Sequence, residues 1–113
     1  MVFFIGCSES PKSRPPDNII GQEQMTKIIV DMQIVEAVLV KKRGKGIDVG
    51  VISQKYYEAL FNKYGITKGK FDSSITYYKK DLDGLKDIYE NVIIELNKMD
   101  RQVEKKAGTT EKK

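Results

Sequence analysis

The chain has 113 residues, 40% hydrophobic and 32% charged, which is enough for one domain with an ordinary globular balance. Histidine and tryptophan are absent and Cys7 is the single cysteine, so an imidazole base, an internal disulfide and a cysteine-rich zinc cluster are excluded. The net charge of +4 is uneven: residues 12–80 carry 13 basic against 7 acidic groups, and residues 81–104 carry 3 against 7. Basic residues beside Tyr56, Tyr57, Tyr77 and Tyr78 raise the question of nucleic-acid stacking, but no nucleic-acid motif accompanies them. Each tyrosine pair is read instead as one ring in the core and its neighbour at the rim.

The chain opens Met1-Val2-Phe3-Phe4-Ile5-Gly6-Cys7-Ser8, a short apolar run ending in Gly-Cys. This resembles the lipobox that closes a bacterial lipoprotein signal peptide, where the cysteine sulfur receives a diacylglycerol and becomes the mature N-terminus. Phe4 stands where Leu is usual, and the basic and most of the apolar leader are missing, so residues 1–6 are expected to be the remnant of a longer leader. The next stretch, Ser8 to Asn18, has no apolar side chain and three prolines, and is expected to be a flexible tether over residues 7–20. The alternative is that Cys7 is a buried apolar thiol in a first turn or strand. An acylated Cys7 would hold the protein at a bilayer with no membrane-spanning helix.

A helical domain is predicted for residues 21–104. Met25, Ile28, Ile29, Met32, Val35 and Leu39 recur at helical spacing between Gln22 and Lys42, with Ile34 and Val38 widening the face toward a second neighbour. Lys41-Lys42-Arg43-Gly44-Lys45-Gly46 ends this helix, since cations suit its negative terminus and glycine allows the turn. A second helix spans Val51–Tyr64 with Val51, Tyr56, Leu60 and Phe61 inward and Gly65 as a left-handed cap. Thr67 caps a third, about Lys68–Lys79, which buries Phe71, Ile75 and Tyr78. Asp81 caps a fourth, in which Leu82, Leu85, Tyr89, Val92, Leu96, Met99 and Val103 alternate steps of three and four as a heptad seam. Ile88 and Ile93 flank that seam; it is either all core or, from Leu96 to Val103, extends beyond the body toward a partner. Residues 105–113 are expected to be a disordered basic tail.

Familiar chemical motifs fail in detail. Gly44-Lys45-Gly46 through Gly50 has one residue too many for a dinucleotide fingerprint. Gly65 to Lys70 is one residue short of a phosphate loop, with Phe71 where Ser or Thr must stand. Asp81-Leu82-Asp83-Gly84 lacks the later ligands of a calcium loop. Asp31 and Glu36 lie about 140° apart around their helix, so they do not converge as an acid–base pair. Each is expected either to bond a helix terminus or a tyrosine hydroxyl, or to receive a basic residue of a partner. No enzymatic activity, metal or cofactor beyond the lipid on Cys7 is expected.

The order of features resembles a family of small lipoproteins of Bacteroidota that is known as a domain of unknown function. The words that carry it are Gly6-Cys7, Ile28-Ile29-Val30-Asp31-Met32 with Glu36-Ala37, Tyr64-Gly65-Ile66-Thr67, Phe71-Asp72-Ser73-Ser74, Tyr77-Tyr78 and Ile88-Tyr89 with Val92 and Leu96. The resemblance implies an outer-membrane lipid-anchored helical protein without catalytic residues; some members are accessory subunits of type 9 secretion, beside larger lipoproteins with helical repeats. The expected fold is therefore an all-α bundle of about four helices. The expected function is a non-enzymatic, periplasm-facing adaptor in an envelope complex. Cys7 is its lipidation site, and Asp31, Glu36, Leu96, Met99 and Val103 are the candidate partner contacts. Neither nucleic acid nor a small-molecule substrate is expected. The alternatives are a lipoprotein binding a small ligand between the first and fourth helices, and a cytoplasmic basic module binding nucleic acid.

Overall fold

The computed structural model describes the backbone of residues 15–112 and the side chains of residues 15–104. Four helices follow one another, α1 (Gln22–Gly44), α2 (Gly50–Tyr64), α3 (Lys68–Lys80) and α4 (Leu82–Lys112), and no strand forms among the described residues. The expected leader remnant, Cys7 and the first half of the tether lie outside the described residues, as do the side chains of residues 105–113.

The helix ends are written in local chemistry. Lys45 and Gly46 donate their N–H groups to the Lys42 and Arg43 carbonyls at 3.0 and 2.9 Å, which closes α1 with three cations in its last turn. Gly65 ends α2 at φ 64° and ψ 34°, a left-handed conformation that costs a side-chain-bearing residue about 1–2 kcal/mol. Thr67 Oγ1 accepts from the Lys70 N–H at 3.0 Å, and Asp81 Oδ1 accepts from the Gly84 N–H at 3.1 Å. All three predicted caps, Gly65, Thr67 and Asp81, are present.

α1 is the central element. Met25, Thr26, Ile28, Ile29 and Val30 are buried over a little more than half of its circumference, with Glu23 and Lys27 exposed on the rest, whereas beyond Met32 a narrower face is covered, ending at Leu39. α2 runs back along α1: Glu36 meets Tyr57, Asp31 meets Lys63 and Tyr64, and Gln24 Nε2 donates to the Tyr64 carbonyl at 3.2 Å. The two helices thus form an antiparallel hairpin whose turn is far from the chain's entry. α3 closes the opposite end, and α4 starts beside the start of α1, because a methyl group on Gly84 would lie 3.1 Å from Gln22 Nε2. From there α4 runs in the direction of α1.

The main core joins Met25, Ile28, Ile29 and Val30 of α1 with Leu60, Phe71, Tyr78, Ile88 and Val92, so every helix contributes. Ile20 belongs to it as well, at 2% exposure, although it precedes α1 and falls in the stretch read as tether. Its backbone is satisfied by α3. The Ile20 N–H donates to Ser74 Oγ at 2.8 Å, and Tyr78 donates its hydroxyl to the Ile20 carbonyl at 2.7 Å. Either group left buried and unpaired would cost about 1–3 kcal/mol, so this segment is fastened to α3.

Several expected core positions are exposed. Val51, 67% exposed, sits in the first turn of α2 on a side that no helix covers. Ile34 and Val38 are 41% and 38% exposed, and Ile34 borders a shallow cleft beside Tyr56 and Lys63 of α2. In α4 the buried line is Leu85, Ile88, Val92 and Leu96, not the heptad line through Leu82 and Tyr89, which are 69% and 46% exposed. At about 100° per residue, the buried Gly84 and Ile88 set the centre of the contact face, and Leu82 and Tyr89 fall off its edge.

Candidate functional site

Two carboxylates of α1 are tied to tyrosines of α2. Asp31, half-buried, accepts on Oδ2 from the Tyr64 hydroxyl at 2.7 Å and from Lys63 Nζ at 2.8 Å. The Lys63 ammonium also lies 5.2 Å from the centre of the Tyr64 ring, a favourable cation–π placement. Glu36 accepts a hydrogen bond from the Tyr57 hydroxyl. Burial, aided by Glu36, pushes the Tyr57 hydroxyl up to about 12, and burial with Asp31 raises that of Tyr64. Lys63 is raised by its bond to Asp31. Both acids thus bond a tyrosine hydroxyl, as one of the two expectations has it, and Asp31 also meets a basic residue of α2.

Beside this clamp, an open groove of about 520 Å³ runs along α1. Thr26 and Val30 form its floor, Asp31 and Tyr64 one wall, and Asn91, Glu95 and Met99 of α4 the other. Three acids, Glu23, Asp31 and Glu95, stand against one cation, Lys27, around its lining. The groove exists because α4 is much longer than the body that covers it. Leu96 is half-buried against the core, and every residue from Asn97 to Glu104 is exposed. Met99 and Val103, 38% and 63% exposed, continue the buried line of α4 by steps of three and four, so they extend an apolar stripe past the end of the core.

The structure therefore brings Asp31 and Met99 into one groove, places Leu96 partly in the core, and sets Glu36 apart on the Tyr57 side of α1. Val103 lies farther out on the overhang, and Cys7 lies outside the described residues. Tyr64 was missed as a groove residue. Its signal was indirect, since a tyrosine ending α2 opposite an acid on an apolar helix face is a hydroxyl–carboxylate pair waiting to form. A second, more apolar cleft of about 570 Å³ lies over Met32, Tyr57, Phe61 and Phe71, where the Phe61 and Phe71 rings are 5.4 Å apart.

The fold and groove define a small all-α protein: a helical hairpin braced at its base by a short third helix, with a long fourth helix that outruns the core. The chain belongs to the family described as a domain of unknown function (DUF4296), which it matches over residues 16–102, from the entry segment to the overhang. No curated protein and no solved structure matches the chain.

Proposed function

We propose that the protein is a non-enzymatic helical adaptor, attached to a membrane by lipid on Cys7, that receives a helix of a larger envelope protein in the α1–α4 groove. The carrying observation is the overhang, where Met99 and Val103 prolong the core stripe of α4 with no partner among the described residues. An amphipathic helix docks on such a stripe by its apolar ridge, with residues three and four apart as anchors. Glu23 and Glu95, at the rim of the groove, favour a helix with a basic flank. The resemblance to Bacteroidota lipoproteins extends this reading to the outer membrane, periplasmic side, and to a helical-repeat lipoprotein of type 9 secretion as the larger partner.

Purification of the precursor in mild detergent with mass spectrometry tests both halves. Acyl groups on Cys7, and a stoichiometric envelope protein that is lost in Met99→Asp, are the expected results. A lone, unacylated monomer would overturn the proposal.

A further inference from the structure

The turn of the α1–α2 hairpin carries an unusual surface. Lys41, Lys42, Arg43 and Lys45 put four cations within five positions, and none takes part in the ion pairs found among the described residues. Three of them suit the negative end of α1, which accounts for their sign but not for what surrounds them. Val40, Ile47 and Val51, respectively 59%, 39% and 67% exposed, stand at the same end of the hairpin. The turn keeps a net positive charge, since from Lys41 to Asp48 these four cations stand against one acid, Asp48, whose Oδ1 accepts from the Gly50 N–H at 3.0 Å. The turn is also built to hold its shape. Leu39 and Val49 are buried beneath it, apart from the main core, and the Ile47 N–H donates to the Lys42 carbonyl at 3.1 Å.

We propose that this turn is a docking surface for an anionic lipid bilayer. Cations around a convex tip lie at the level of lipid phosphates, while short apolar side chains between them enter the boundary between headgroups and acyl chains. The mixture decides against nucleic acid. Phosphate backbones use the cations but give exposed valines and isoleucine nothing to contact, and no aromatic ring for base stacking occurs between Val38 and Lys55. The surface works without the lipid on Cys7, so it stands apart from the adaptor reading.

Flotation of the full chain carrying Cys7→Ser, which removes the acylation site, tests it. Vesicles of phosphatidylcholine alone are compared with vesicles containing phosphatidylglycerol. Binding to the anionic vesicles only, weakened by salt, is expected. Each cation near an anionic surface is worth about fivefold in affinity, so Lys41→Gln with Lys42→Gln should weaken binding about 25-fold. Val51→Ser should weaken it severalfold even at high salt, and Lys79→Gln with Lys80→Gln, at the far end of the molecule, should leave it within about twofold. Equal losses at the two ends, no binding to either vesicle, or a salt-sensitive shift of duplex DNA without vesicle binding would each overturn the proposal. Circular dichroism of every variant separates loss of binding from loss of fold.

Discussion

Tyrosine hydroxyls are the structural currency of this protein at the scale of single residues. Tyr78 holds the entry segment, and Tyr57 and Tyr64 hold α1 to α2. Burial pushes Tyr78 up to about 12, with Tyr77 and Asp81 adding to the effect, and Tyr57 rises to the same level. An unfolded tyrosine ionises near 10, so above that pH the unfolded chain releases protons that the folded chain retains. The stability these two residues contribute is complete below pH 10 and is lost as pH climbs toward about 12. Urea midpoints measured across this window should fall, and Tyr57→Phe should flatten part of the fall by removing one of the two titrations. Parallel pH dependence in Tyr57→Phe and the unaltered protein would show that Tyr57 ionises alike in both states. The acids behind these bonds were visible in the sequence as charges on an apolar helix; their partners were not, because Asp31 and Tyr64 are separated by 33 positions that only the hairpin brings together.

Among the elements, what is decided within one turn of chain was legible and what depends on a neighbour was not. The Gly65 turn and the Thr67 and Asp81 caps needed only local hydrogen bonds, and each formed where the residue types indicated. The face of α4 was ambiguous, since Leu82, Leu85, Tyr89 and Val92 fit a heptad line while Leu85, Ile88 and Val92 fit a straight helix laid on a globular body. Gly84, where an added methyl group would meet the Asp81 cap at 2.5 Å and Gln22 Nε2 of α1 at 3.1 Å, is buried with Ile88 one turn on, so the Ile88 side of α4 is the one that faces the body. The same geometry separates Leu96 from Val103. Leu96→Asp should destabilise the fold by about 2 kcal/mol or more, because it places a carboxylate against the core. Val103→Asp, on the overhang, should change stability by less than about 0.5 kcal/mol. Thermal unfolding of the two variants measures the difference; equal losses would mean that the overhang is covered.

The whole molecule is polar in its construction, with chain entry, α3 and the start of α4 at one end and the basic turn at the other. α1 separates these ends by about 34 Å, and the chain from Cys7 to Ile20 can reach at most about 45 Å. A lipid on Cys7 and the basic turn can therefore meet the same bilayer. Stability follows the same axis, since burial is dense around Met25–Val30, Ile88 and Val92 and absent from Asn97 to Glu104. Helix without tertiary cover opens at low free-energy cost, whereas core helix opens only with global unfolding. Native-state hydrogen exchange should then show strong protection at Ile28, Ile29, Ile88 and Val92 and a steep drop past Leu96. Adding a bound partner helix should raise protection between Asn97 and Glu104 alone. Uniform protection through Glu104 in the isolated protein would mean that a second copy already covers Met99 and Val103, and sedimentation would then report a dimer in place of an open groove.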